Sequence, residues 1–253
     1  MITPPAISAK MLDAETGQIV VQDLTKGKSA QVAAKVKELE KQGMKKLVLD
    51  LRHSAVQTAE EGAALASLFL QSGTIATLEG QKVEKQVFQA DPSKVVWKGD
   101  LVVLTNRGTV GAAEIAAAAL QDNKRAKVVG ERTYGDAALR RAIPTGDGGA
   151  LLLAVAKYKT PEGKIIQESS VTPAFAVLGS DPEAELDDED APAAAPAARP
   201  AKPKPAKPGE DAILKKALEV LAGKAEQAAG KAPVTATPGQ PQVLGPLNVP
   251  VRK

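Results

Sequence analysis

The chain contains no cysteine and a single histidine, His53. Disulfide scaffolds, thiol catalysis and cysteine-based zinc or iron–sulfur centres are therefore excluded, and no histidine cluster can gather a metal. Aromatic residues make up 2% of the sequence, which leaves no platform for stacking nucleobases. A formal charge of +3 with 25% charged residues is too balanced to point to nucleic acid. No apolar run approaches the roughly 20 residues needed to cross a bilayer, so no membrane span is expected. No cofactor is expected either. Residues Met1 to Lys10 lack the basic start and apolar centre of a secretion signal. That implies a cytoplasmic location if Met1 is native, or else a fragment whose upstream part is missing.

What remains is an aliphatic, alanine-rich chain of 253 residues, enough for one generous domain or two small ones. Composition breaks sharply near Gly179. Before it, at 1–178, periodic segments alternate with regular turn signals. After it, at 179–209, comes an acidic run from Asp181 to Asp190 and then a Pro/Ala/Lys stretch from Pro192 to Pro208. Such a segment buries too little apolar surface to offset its ordering entropy and reads as a disordered linker, with a solvated spacer preferred over a partner-binding element. Residues 210–222 read as a short amphipathic helix with Ile213, Leu214, Ala217, Leu218 and Leu221 on one face, able to dock on the domain or on a partner. A Gly/Pro-rich tail, 223–253, follows.

Within 1–178 the β-branched run Ile19-Val20-Val21 reads as a strand. Ser29 is the expected N-cap of a helix that shares Val32, Val36 and Leu39 on one face and ends at Gly43. Lys46 to Leu51 is an expected buried strand. Thr58 and Glu61 have capping-box spacing ahead of a helix through Leu65, Leu68 and Phe69, closed by Gly73. Val95 to Trp97, Leu101 to Leu104 and Ala126 to Val129 read as strands, and Ala112 to Gln121 as an alanine-rich helix. Ile143, the Asp147-Gly148-Gly149 turn and Ala150 to Tyr158 form an expected hairpin, and Thr160 to Gly163 a further turn. Alternating strands and helices imply an α/β domain around a largely parallel sheet.

Three segments together resemble the carboxyl-terminal processing (tail-specific) serine proteases: Lys26 to Arg52, Leu101 to Gly135, and Ile143 to Gln167 followed by Val171-Thr172-Pro173. The resemblance covers most of residues 17–178, in the family's order and spacing. It implies that family's crotonase/ClpP-like core of ββα units, and a Ser–Lys dyad in which a buried, neutral lysine activates a serine at a helix N-terminus. Carried over position by position, the chemistry is missing. The family's serine-rich loop falls on Asn106 to Glu114 and places the nucleophile at Gly111. The lysine follows the segment Gly130 to Gly135 and falls on Asp136, 25 residues later, a separation that fits the family. The glutamine that orients the lysine falls on Arg140. The glycine-rich loop that supports oxyanion binding falls on His53, Ser54, Ala55, Val56 and Gln57, where Val56 and Gln57 restrict close backbone approach.

Other residues compete for a role. Thr109 is the surviving hydroxyl nearest the lost nucleophile, with Asp136 as its conceivable base, but it also suits the N-cap of the Ala112 helix. Glu114 fits a catalytic carboxylate or a favourable first-turn acid. His53 and Ser54, adjacent in an extended stretch, would point to opposite sides, which favours a surface-loop histidine. Arg140 and Arg141 could clamp a peptide carboxylate, with an ordinary surface salt bridge to Asp136 preferred. Asp147-Gly148-Gly149 carries too few carboxylates for calcium. The expectation is a noncatalytic homologue, a pseudoenzyme that binds polypeptide, such as a protein C-terminus, or acts as a scaffold. The alternative is a divergent serine-type endopeptidase that uses Thr109. The resemblance further implies a periplasmic or secreted location if the chain is a fragment. It also implies an upstream PDZ domain, which this sequence lacks.

Overall fold

The computed structural model describes residues 6–146, 148–178 and 211–223; the linker at 179–209, the start of the expected C-terminal helix at Glu210, the tail beyond 223 and Asp147 lie outside them. A six-stranded sheet runs in the order β1 (Ile7–Met11), β2 (Thr16–Val21), β4 (Lys46–Asp50), β8 (Asp100–Thr105), β9 (Lys127–Gly130), β12 (Phe175–Ala176). β1 is antiparallel to β2 and every other pairing is parallel. Strand β4 explains the layering. Leu47, Leu49 and Leu51 face the main core, while Val48 belongs to a second cluster on the opposite side. An apolar strand of this kind is at home only in a sheet covered on both faces.

Helices α1 (Lys28–Lys41), α2 (Ala59–Ser67) and α3 (Ala112–Asp122) cover the first face. The α1 face of Val32, Val36 and Leu39 is buried, and Gly43 ends the helix at φ 97°. The two expected caps are corrected. Ser29 lies inside α1, whose N-cap is Gly27, and Thr58 caps α2 without its side chain. Glu61, instead of closing a capping box on its own helix, accepts from the amides of Gly27 (2.7 Å) and Ser29 (2.9 Å) and so caps α1. Burial raises its pKa, but those amides outweigh burial and hold it below the usual range. α2 stops at Ser67, short of Leu68 and Phe69.

A second, antiparallel sheet has the order β10 (Ala138–Pro144), β11 (Ala150–Lys159), β6 (Thr74–Gly80), β7 (Val83–Gln89). The β10–β11 hairpin is the expected one; the β6–β7 hairpin has no counterpart in the sequence reading. Short strands β3 (Asp23–Leu24) and β5 (Val56–Gln57) pair in parallel. Val95 to Trp97 is not a strand: it follows a 3-10 turn at Pro92–Lys94, and the amides of Val96 and Trp97 both reach the Leu68 carbonyl. After the Thr160–Gly163 turn, Ile165 makes an isolated bridge with Lys159.

α4 (Ala212–Leu221) docks on the second face of the main sheet, with Ile213 and Ala217 buried against Val48, Val102, Leu104 and Val129. Its N-cap Asp211 accepts from the Leu214 amide and meets Arg52, whose guanidinium bridges two carboxylates. Arg52 Nη2 lies 2.7 Å from Asp50 Oδ2 and 2.9 Å from Asp211 Oδ2. Burial pushes the Asp211 carboxyl up, but Arg52 and the Leu214 amide hold it below the usual aspartate range. A lowered folded pKa contributes stability above the unfolded value and loses it as pH falls through the folded one. Asp211→Asn is therefore expected to weaken α4 docking by about 1 kcal/mol, since the pair is partly exposed. Amide exchange should show a few-fold loss of protection confined to 212–221. Wild-type α4 should lose the same protection on acidification below the ordinary aspartate range.

Candidate active site

The C-terminal ends of β4, β8 and β9 converge on one edge of the parallel sheet, the edge at which such sheets place their ligands. The loop after β8 runs from Asn106 through Thr109 to Gly111, where α3 begins. Gly111 is the N-cap, at φ 53° and ψ −107°. That conformation makes a sharp strand-to-helix turn, the geometry that elsewhere presents a nucleophile. Here the position has no side chain. Helix α2 packs closely against this turn because residue 62 is glycine: a Cβ there would lie 2.3 Å from the Ala112 carbonyl oxygen.

One buried side chain ties the turn to the loop after β9. Glu114 is fully buried. Its Oε2 accepts from the amides of Gly111 (2.8 Å) and Asp136 (2.9 Å). Its Oε1 accepts from the Gly135 amide (2.7 Å) and the Thr133 hydroxyl. Burial raises its pKa above the usual glutamate range despite these four donors. Thr133 Oγ1 in turn accepts from the Val171 amide at 2.8 Å. Glu114 is thus a first-turn acid whose reach extends beyond its own helix to the segment that carries Asp136.

Gly111 and Asp136 line one pocket of about 210 Å³, together with Ala112, Ile115, Arg140 and Tyr158. The Asp136 carboxylate pairs with Arg140. This is the expected salt bridge; Arg141, the next residue of β10, is exposed and is not among the residues lining the pocket. Thr109 does not cap α3, which corrects that expectation. Its hydroxyl, fully buried, donates to the Leu51 carbonyl at 2.9 Å and accepts from the Asn106 amide at 3.1 Å. Thr109 joins the ends of β4 and β8 and is not among the residues lining the pocket.

The loop after β4 is also committed to structure. His53 is exposed, at φ 62°, and its ring meets the Asn106 amide group at 3.2 Å. It is a loop histidine, as preferred above. Ser54 is buried, and its carbonyl accepts from the Val110 amide at 3.1 Å. Val56 and Gln57 are held in β5 against β3. The two amides just ahead of α3 that could meet an oxyanion, those of Val110 and Gly111, are thus turned to Ser54 and Glu114. Among the described residues, no three histidine, cysteine or carboxylate side chains come together to hold a metal.

A sharp turn feeding a helix N-terminus, with a facing loop 25 residues on and a parallel sheet beneath, is the core of an α/β peptidase. Residues 15–177 match the model of peptidase family S41, and the chain belongs to that family. It is 35% identical over 136 residues to the chloroplastic C-terminal processing peptidase of Tetradesmus obliquus, covering 54% of this chain and 29% of that one. It is 32% identical to the carboxyl-terminal-processing protease of Synechocystis, covering 68% of this chain and 41% of that one. The CtpA protease of Bacillus subtilis matches at 32% over 66% and 36% of the two chains. Among solved structures, a photosystem II D1 C-terminal processing protease superposes with a TM-score of 0.63 at 27% identity, covering 70% of this chain and 49% of that one. A Streptococcus agalactiae lipoprotein shares the fold at a TM-score of 0.54 and 16% identity, over 68% and 65% of the chains. The chain thus spans 29–41% of the length of these three curated relatives.

Two substitutions test the site's construction. Gly111→Ala forces a side chain into a backbone region that costs about 1–3 kcal/mol, to be read as a lower urea midpoint at unchanged slope. Glu114→Gln turns an NH2 toward two of the four donors and should cost at least about 2 kcal/mol.

Proposed function

We propose that this chain is a noncatalytic member of the S41 family that holds a polypeptide, such as a protein C-terminus, in the pocket between Gly111 and Asp136. The observation that carries the reading is Gly111 itself. It stands at the helix N-terminus in the nucleophile's turn, with no atom that can attack a carbonyl. The neighbouring chemistry points the same way. A Ser–Lys dyad needs a base that passes from neutral to cationic, whereas Asp136 supplies a carboxylate already paired with Arg140. A carboxylate beside the turn also opposes the negative charge of a tetrahedral intermediate. What survives is a recess lined by alanines, Ile115 and Tyr158 with one ion pair at its rim, suited to holding an apolar side chain next to a polar backbone. The Thr109 endopeptidase reading gains no support from its hydroxyl, which is buried and donates to Leu51.

The test is mass-spectrometric cleavage of an unfolded protein with an apolar C-terminal tail. The wild-type chain is compared with Thr109→Ala and with the combined Gly111→Ser, Asp136→Lys, Arg140→Gln variant. Arg140 has to change with Asp136, because a lysine beside an arginine meets like charge. The expected result is no cleavage by wild type and measurable cleavage by the combined variant. Wild-type cleavage that vanishes with Thr109→Ala would establish the endopeptidase reading instead.

A further inference from the structure

The β10–β11 hairpin outruns the rest of its sheet. β6 pairs with β11 only at Lys157–Lys159. Gly80, the last residue of β6, already abuts β11: a Cβ there would lie 2.2 Å from the Val155 carbonyl oxygen. Beyond that point, among the described residues, no strand pairs with the outer edge of Ala150 to Ala154. This arm carries large apolar side chains into solvent: Leu151 is 53% exposed, Leu152 64%, Leu153 39% and Ile143 45%. Exposed apolar surface gathered in one place on a monomer marks a partner site.

The arm's two edges differ. The β10 edge carries exposed Arg140 and Arg141 and ends at Pro144, which has no amide hydrogen to offer. Charges and proline are the means by which edge strands are kept from pairing. The β11 edge, Ala150 to Ala154, contains no charge, proline or glycine. It is open for pairing, and its composition suits a copy of itself. When antiparallel strands meet about a two-fold axis at Leu152, Leu152 lies opposite Leu152 of the second copy, and Leu151 opposite Leu153. Every central cross-strand pair is then leucine on leucine, with no like charges opposed. We propose that β11 of one chain pairs antiparallel with β11 of a second copy, joining the two four-stranded sheets into one eight-stranded sheet through Leu151, Leu152 and Leu153.

The full chain is tested by light scattering on a sizing column and by disulfide trapping. The wild type should form a dimer at about 100 µM, and Leu152→Lys, which sets two ammonium groups opposite each other, should weaken it at least about tenfold while circular dichroism is unchanged. Because the chain has no cysteine, Leu152→Cys reports the register alone. Its two thiols would face each other across about 4.5–5.5 Å between Cα atoms, within disulfide reach. Mild oxidation should yield a covalent dimer far faster than with Val87→Cys, another exposed site, on β7. A monomer at that concentration, a dimer indifferent to Leu152→Lys, or equal trapping at both cysteines would overturn the proposal. So would a monomer that takes up an extended apolar peptide at this edge instead.

Discussion

The carboxylate of Glu114 holds the functional edge of this protein together. It is buried without a cation, a state tolerated only when hydrogen bonds replace the lost water. Four donors do so: three amides and one hydroxyl, drawn from the turn at Gly111 and from the loop Thr133 to Asp136. No single one of these segments can move without leaving part of a buried carboxyl group unsatisfied. Thr133 carries the constraint one step further, to Val171 and the chain that leads into β12. The geometry of this edge is therefore fixed by Glu114 independently of any side chain at positions 111 and 136.

The turn at Gly111 therefore keeps its shape without any side chain at that position. A serine at φ 53° and ψ −107° would be strained, and glycine adopts that conformation freely. In the proposed reading, glycine here carries neither a reacting oxygen nor that strain. Asp136, which lines the same pocket as Gly111, pairs with Arg140. The recess thus holds an ion pair beside the turn at Gly111. The loop after β4 follows the same pattern, since the amides of Val110 and Gly111 are satisfied by Ser54 and Glu114.

Much of this was legible in the sequence, and the failures have physical causes. The buried β4, α1 with its Gly43 stop, the alanine helix and the β10–β11 hairpin follow from periodicity and turn residues. The caps do not. Ser29 and the Thr58–Glu61 pair have the right spacing, but Glu61 bonds across to α1, and a bond between distant segments has no local pattern. Thr109 fails as a cap for the same reason, because its partner is Leu51, 58 residues away. The β6–β7 hairpin escaped because β7 is largely exposed and polar; Thr74, Ile75 and Thr77 ahead of Gly80 were the available signal. Val95 to Trp97 is apolar enough for a strand, yet it packs as an unpaired stretch on Leu68. Gly111, Asp136 and Arg140, the positions that the family resemblance singles out, line one pocket. The Arg52 link to Asp211 was not, since it crosses the whole linker.

The most direct test of the account is an amide-resolved NMR titration of the full chain with an unfolded polypeptide bearing an apolar C-terminus, followed until the peptide's own spectrum is stable. The account predicts saturable shifts at Gly111, Ala112, Asp136 and Ala137, with the peptide recovered intact. A shortened peptide, or shifts that bypass those amides, would contradict it.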